Sequence, residues 1–224
     1  MKFGLGQAAP RVEDRRFLKG GGRYTDDINL PNQAWSHILR SPHAHARIHS
    51  IDVKAARSAP GVLAAFTGAD VASDGLGDMP CLAAKVAPLK RPDGTPIFQP
   101  SRPALVRGKV AFVGDYVAFV VANSRDQARD AAELIEVDYE PLPFVLEPEE
   151  ALAPGAPKVW PEGNLSPDVE NRLEPMTTRR GDTEAGFGEA DRVFEDRYST
   201  AFVHDAQMER RACLAYWEGE KLTL

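Results

Sequence analysis

The densest group of side chains that could do chemistry consists of three histidines within seven residues. His43, His45 and His49 are separated by even numbers of positions, and His37 precedes them. On one extended strand, residues at i, i+2 and i+6 share a face, so imidazoles with this spacing could bind a metal ion. Pro42 and the weak alternation of apolar residues argue against one regular strand. The competing interpretation is that the histidines form hydrogen bonds at a subunit or domain seam.

Other polar groups give no catalytic constellation. His204 and Glu209 lie in a loop between two predicted strands, a position that suits function, but no nucleophile accompanies them. Charged residues near Asp14 are typical of surface or interface ion pairs. Serine-hydrolase, zinc-protease and phosphate-loop motifs are absent from the sequence. We therefore assign no catalytic, cofactor-binding or metal-ligating residue from the residues alone.

Composition excludes several classes of protein. A net charge of −6 without a basic run disfavours nucleic-acid binding. Cys81 and Cys213 lack the spacing of a zinc site or a disulfide framework, which favours two reduced thiols in a cytoplasmic protein. No apolar run is long enough to span a membrane. The glycines at 20–22 follow no strand, so they are not a dinucleotide fingerprint.

The first half of the chain reads as strands joined by short helices. We predict strands over 34–40, 46–53 (bent or bulged) and 62–66, and a helix over 54–58 that Pro60 ends. A proline-rich stretch over 72–109 has no clear period, and we expect it to pack against a partner or a further domain.

The clearest pattern lies over 110–140. Strands are predicted at 110–113 and 116–122, then a helix with a capping box formed by Ser124 and Gln127, then a one-sided strand at 135–140. Strand, helix and strand in this order predict a right-handed βαβ unit within a mixed α+β layer. Farther on, Asp182 caps a predicted helix, 191–200 reads as a long strand, and 212–217 with 222–224 reads as a hairpin.

Ten segments, taken in chain order, resemble the large subunits of molybdenum hydroxylases, the family of xanthine dehydrogenases, aldehyde oxidases and carbon monoxide dehydrogenases. These segments are Arg11–Asp14, Arg16–Phe17, Gly22–Asp27, Arg40–Ile48 (RSPHAHARI), Ala59–Val62, Val113–Ala118, Val137–Pro143, Gly181–Asp182, Gly186–Asp191 and His204–Glu209. The resemblance covers nearly the whole chain, and its ordered matches are far more specific than any single one.

The resemblance implies an α+β fold, in which an α/β hammerhead domain with a mixed sheet precedes the first strands and helix of a molybdopterin-binding domain. We expect an N-terminal arm over 1–11, the hammerhead over 12–145, an extended linker over 146–181 and a truncated molybdopterin-binding domain over 182–224. The family's glutamine-bearing segment, glycine-rich cofactor loops and catalytic glutamate would all lie beyond Leu224. Where the family has Met-Glu-Pro, this chain has Arg210, which lacks the fixed φ of proline.

The function implied by the resemblance is a share in a molybdenum oxidoreductase. The complete enzyme would hydroxylate an aldehyde, purine or related heteroaromatic substrate and hold molybdopterin cytosine dinucleotide. Iron–sulfur clusters and FAD would be carried by partner subunits or domains, and the isolated chain is expected to be inactive. Two alternatives remain open at this stage: a free-standing assembly or binding module of the hammerhead fold, and a small metal-dependent hydrolase that uses the three histidines.

Overall fold

The structure is a computed structural model that describes residues 6, 11–80, 100–160, 180–207 and 209–224. It divides into two compact units, Ala34–Gly181 and the pair Met1–Gln33 with Asp182–Leu224. The strands are β1 Trp35–Arg40, β2 Ala46–Asp52, β3 Val62–Thr67, β4 Lys109–Val110, β5 Tyr116–Ala122, β6 Glu136–Pro141, β7 Tyr216–Glu218 and β8 Lys221–Thr223. The α-helices are α1 Asp14–Phe17, α2 Lys54–Ser58, α3 Gly68–Ser73, α4 Arg125–Ala132, α5 Pro148–Leu152 and α6 Thr183–Glu189, and Thr25–Asp27 forms a 3-10 turn.

The larger unit contains two three-stranded sheets, and every pairing in them is antiparallel. In the first sheet β5 lies between β1 and β3, and in the second β2 lies between β4 and β6. β2 has the predicted irregularity, because its register with β6 shifts between Ile48 and Ser50. Such a shift bends the strand and redirects the side chains that follow it.

The core lies on both faces of β5. Ala118 and Val120 belong to a cluster with Ala131 and Ala132 of α4, whereas Val117 belongs to a second cluster with Val110. Three partly buried residues, Leu39, Ile51 and Val137, pack against both clusters. The small side chains on α4 allow the helix to pack closely on the first sheet, as their spacing predicts.

The expected α+β class is confirmed, but the βαβ unit is not. β5 and β6 belong to different sheets, so the helix between them connects two sheets rather than two parallel strands of one. β5 already has an antiparallel neighbour on each edge, which leaves β6 no place beside it. The sheets of the described residues are therefore antiparallel, and the expected mixed sheet is wrong in this respect.

Helix starts were predicted only in part. Ser124 Oγ accepts a hydrogen bond from the Gln127 backbone N–H at 3.2 Å, but the side chain of Gln127 lies against Gly61 and does not complete a capping box. A reciprocal arrangement occurs instead at α3, a helix that the sequence reading missed. There Asp70 Oδ2 accepts from both the backbone N–H and the hydroxyl of Thr67.

In the smaller unit, Asp182 caps α6 as predicted, because its Oδ1 accepts from the Ala185 N–H at 3.0 Å. The hairpin is also present, although its first strand is shorter than expected. The predicted strand over 191–200 is wrong: this stretch has no regular structure and is exposed. A strand needs a neighbour to satisfy its backbone, and none of the described residues supplies one.

Much of the proline-rich stretch, including Cys81, lies outside the described residues, as does most of the expected linker. The predicted strand over 110–113 shortens to Lys109–Val110. Among the residues described, every helix is too short or too polar to cross a membrane.

Replacing Gly68 by alanine tests the close approach at the start of α3. A Cβ at this buried position would lie 2.2 Å from the carbonyl oxygen of Val106, which is a backbone atom and cannot move aside freely. We expect Gly68→Ala to lower the free energy of unfolding by about 1–3 kcal/mol. Urea denaturation followed by tryptophan fluorescence measures this. Gly77→Ala, where a Cβ meets open space, is the matched control and should change stability by less than about 0.5 kcal/mol.

Replacing Asp70 by asparagine tests the cap of α3 through its pH dependence. Hydrogen bonds from Thr67, helped by the nearby Arg57, lower the pKa of Asp70 despite its partial burial. A carboxyl whose folded pKa is depressed contributes stability above its ordinary pKa and loses that contribution as pH falls through the folded pKa. We expect Asp70→Asn to cost about 1 kcal/mol at pH 7, since the side chain is partly solvated, and the deficit to shrink below about pH 4.

The control for this experiment is Asp74→Asn, which removes the same charge where the carboxylate forms no bond with a described residue. Thermal unfolding from pH 3 to pH 7 compares the two variants. A deficit of Asp70→Asn that stayed constant across this range would show that the carboxylate charge does not stabilise the helix start.

Candidate functional site

The histidine segment, residues 41–45 with His43 and His45, connects the two sheets. β1 ends at Arg40 in the first sheet and β2 begins at Ala46 in the second, so residues 41–45 cross from one to the other. The shared histidine face that a metal site would need does not form, because His43 and His45 precede β2 and His49 lies in the register shift.

Ser41 organises this crossing, and sequence reasoning did not single it out. It is 2% exposed, its N–H donates to the Asp115 carbonyl at 2.9 Å, and its own carbonyl accepts from the Gly114 N–H at 2.8 Å. Its hydroxyl accepts from the His43 N–H at 3.0 Å, which closes a turn around Pro42. The sequence pattern that could have identified Ser41 is a serine before a proline at the end of a predicted strand, together with a Gly-Asp turn farther along the chain.

His43 and Tyr139 form the aromatic part of the site. Their ring centroids lie 4.8 Å apart with a 58° tilt between the planes, and His43 is half-buried. Burial raises the pKa of Tyr139, a hydrogen bond with Ser41 opposes this, and the negative charge of Asp115 adds to it. Tyr139 is therefore a neutral hydrogen-bonding group near neutral pH.

His45 is the buried histidine of the segment and is 6% exposed. Its Nδ1 lies 2.8 Å from the Pro143 carbonyl oxygen, and its own carbonyl accepts from the Leu142 N–H at 3.0 Å. A carbonyl can only accept, so Nδ1 donates in this contact, and in the neutral form of the ring this leaves Nε2 as an acceptor. Nε2 is buried without a hydrogen-bond partner among the residues that the structure describes. An unmet acceptor of this kind costs about 1–3 kcal/mol.

His49 points to a different partner. It is exposed, and its Nε2 lies 3.2 Å from a Glu140 carboxylate oxygen that also pairs with Arg47. The histidines thus serve separate contacts along the crossing instead of converging on one point. Within the described ranges, no group of three or more histidine, cysteine or acidic side chains could hold a metal ion. The arrangement has the hydrogen bonds of a seam between two sheets.

The second loop of interest, in the smaller unit, is open. His204 Nδ1 accepts from the Ala206 N–H at 2.8 Å, and the side chains of His204 and Glu209 are exposed. Arg210, which stands where the family has proline, lies 3.9 Å from an Asp26 carboxylate oxygen. The departure from the family pattern thus joins this loop to the Asp26-Asp27 pair through a weak, partly solvated ion pair.

Comparison with known proteins identifies both parts of the chain. Residues 19–143 match the family model described as "Aldehyde oxidase and xanthine dehydrogenase, a/b hammerhead domain", and residues 165–224 match "Molybdopterin cofactor-binding domain". The first match includes the sheet crossing and the histidine segment. The second includes the loop with His204 and Glu209.

Two curated relatives are similar over almost the whole chain. The carbon monoxide dehydrogenase large chain of Afipia carboxidovorans is 38% identical over 95% of this chain and 25% of its own length. The nicotine 6-hydroxylase large subunit of Paenarthrobacter nicotinovorans is 34% identical over 96% of this chain and 24% of its own length. The chain thus spans about a quarter of the length of these relatives.

A solved structure gives the same result at the level of fold. Reconstituted CO dehydrogenase from Oligotropha carboxidovorans superposes with a TM-score of 0.55 at 44% identity, over 69% of this chain and 17% of that one. The resemblance drawn from ordered motifs is confirmed. The chain belongs to the aldehyde oxidase and xanthine dehydrogenase family, as a hammerhead domain followed by residues that match a molybdopterin cofactor-binding domain.

Proposed function

We propose that this chain is the N-terminal portion of the catalytic subunit of a molybdenum-dependent hydroxylase or dehydrogenase, and that it supports the molybdopterin domain. The complete enzyme oxidises a small molecule, either an aldehyde or a purine or related heteroaromatic compound. It works in the cytoplasm with an iron–sulfur subunit and a flavin subunit. The hammerhead contributes a well-packed support, and its described residues supply no reacting group.

One observation carries this proposal. Every described residue from Gly181 to Leu224 is exposed except Leu214 and Thr223, although this segment contains several large apolar side chains. Phe194 is 80% exposed, Tyr198 87% and Phe202 103%. Several large apolar side chains exposed close together along one segment are typical of a surface that another part of the protein covers. The match of residues 165–224 to a molybdopterin-binding domain supports further polypeptide of that domain as the cover.

The described residues do not by themselves fit a pterin. Residues 180–207 and 209–224 lie open to solvent, and the described chain holds no cluster of metal ligands. We propose that molybdopterin cytosine dinucleotide is bound mainly by parts of the complete subunit outside this segment. When bound, the molybdenum centre supplies the oxidation chemistry with water as the oxygen source, and the surrounding protein positions substrate and cofactor.

The direct experiment is to produce the complete subunit with its companion subunits and to measure molybdenum, pterin and the nucleotide released by hydrolysis. We expect about one molybdenum and one cytidine nucleotide per large subunit, and dye reduction with an aldehyde or a purine. A correctly assembled complex that contains neither molybdenum nor pterin would contradict the proposal and favour a hammerhead protein that serves only in assembly.

A substitution in the exposed segment tests whether it becomes buried in the complete subunit. Phe202→Ser should leave the unfolding of the 224-residue chain unchanged, because this side chain already faces water. In the complete subunit it should lower the midpoint of thermal inactivation by about 5 °C or more, because a buried phenylalanine contributes several kcal/mol. Glu195→Ser, in the same segment, is the control and should have little effect in either protein. Equal behaviour of the two variants in the complete subunit would show that Phe202 remains exposed.

A further inference from the structure

A groove with a volume of about 870 Å³ lies on the larger unit, bordered mainly by residues 100–116. Four cationic side chains line it together with two carboxylates, which gives the groove a net charge of +2. The whole chain carries −6, so this surface has the opposite sign to the protein around it. The cations are Arg40, Arg102, Arg107 and Lys109, and the carboxylates are Asp78 and Asp115.

The two carboxylates are occupied by local bonds. Asp115 accepts from the backbone N–H groups of Ala111 and Tyr116, each at 3.1 Å, and Asp78 accepts from the Ser101 hydroxyl and the Arg102 backbone N–H. They hold the loops that border the groove. Among the described residues, neither forms an ion pair with a cation of the groove, so the positive charge is not neutralised from within.

Three of the four cations are held against different aromatic rings. The guanidinium carbon of Arg40 lies 4.5 Å from the Tyr116 ring centroid, and that of Arg102 lies 5.8 Å from the centroid of Phe112. Lys109 Nζ lies 5.5 Å from the ring of Trp160 and donates to the Val159 carbonyl. Stacking on a ring face orients an arginine while leaving the edge of its guanidinium able to donate hydrogen bonds.

Arg107 and the apolar surface complete the groove. Arg107 is exposed and forms no ion pair or side-chain hydrogen bond with the part of the chain that the structure describes. Phe112 is 43% exposed and Met79 is 51% exposed. The groove thus combines apolar contact area with cations held at several separate points, which is the composition of a site for a peptide that carries both acidic and apolar side chains.

We propose that this groove binds an acidic, extended segment of another subunit of the assembled enzyme. Carboxylates of that segment bind Arg102 and Arg107, and an apolar side chain packs against Phe112. A peptide fits these observations better than a single small anion, because three of the cations are held on different rings and the groove also exposes apolar side chains. The inference rests on the proposed function in one respect, namely that the large subunit assembles with other subunits.

Chemical cross-linking in the assembled complex tests the proposal directly. The Arg107→Lys variant of the complete large subunit places an amine at the groove. A carbodiimide couples this amine to an adjacent carboxylate as an amide, and the carbodiimide takes up the water that is lost and becomes a urea. Mass spectrometry should identify an amide bond between residue 107 and an Asp or Glu of another subunit. Lys54, whose side chain is 90% exposed on another surface, is the reference amine and should react only within its own chain.

Two results would overturn the proposal. One is that the lysine at position 107 forms no cross-link while other lysines of the complex do. The other is a residue 107 joined only to carboxylates of its own chain or of a second copy of it, which mixing of isotope-labelled and unlabelled subunits distinguishes.

Charge reversal gives an independent measurement. Arg107→Glu should slow association of the complete large subunit with its companions by about tenfold at low ionic strength, and the difference should vanish near 1 M salt because the ions screen it. Lys54→Glu makes the same change in net charge away from the groove and should have little effect. Equal association rates for the two variants would contradict the proposal, and circular dichroism confirms that both are folded.

Failure of this inference is distinguishable from failure of the proposed function. A complete subunit that contains molybdenum and turns over substrate, but gives no cross-link from residue 107, removes the groove proposal alone. A complex that lacks molybdenum and pterin but gives the cross-link removes the proposed function and leaves the groove as an assembly surface.

Discussion

The burial of β5 on both faces and along both edges is the constraint from which the rest of the larger unit follows. Val117, Ala118 and Val120 are fully buried. Ala118 and Val120 lie in the core cluster that includes α4, and Val117 lies in the other cluster. A strand in this position can satisfy its backbone only if a neighbour pairs on each side. β1 and β3 fill those places, although they are distant from it in the chain, and α4 then covers one face with alanines.

The pairing of β1 with β5 also determines where the functional residues lie. Arg40 pairs with Tyr116 at the end of the ladder, and the next residue, Ser41, is held by the backbone of the Gly114-Asp115 turn. The chain therefore leaves the first sheet here and enters the second at β2. The histidine segment lies on the crossing itself, and Arg40, Asp115 and Tyr116 also border the cationic groove. Both surfaces depend on one junction, so a change that loosens the junction would affect both.

The two units differ in how completely they bury their apolar side chains and pair their polar atoms. This difference agrees with the role proposed for each unit. The larger unit has two adjoining core clusters, and the buried side-chain polar atoms of its described residues are paired with the exception of His45 Nε2. The smaller unit has its helix cap and its hairpin, but Phe194, Tyr198 and Phe202 face solvent. A well-packed unit followed by a segment with exposed aromatic side chains is consistent with the proposed division between scaffold and cofactor domain.

The sequence by itself determined the local elements and the family. Short-range patterns predict several local features, because each feature depends on residues a few positions apart. These features are the strands rich in β-branched residues, the alanine face of α4, the caps at Ser124 and Asp182, and the bent strand β2. Ordered motifs along the chain were enough to identify the hammerhead. The helix at Gly68–Ser73 was also readable from the spacing of Thr67 and Asp70, although its pattern was missed.

Only the tertiary structure decided how these elements combine. Strand partners are chosen by long-range burial, so no local pattern reveals that β5 and β6 enter different sheets. The histidine spacing could not show that His45 is buried against Pro143 while His49 faces Glu140, because a register shift between them changes the direction of the side chains. The groove likewise joins Arg40, Phe112 and Trp160, which are far apart in the chain and meet only when the sheets have formed.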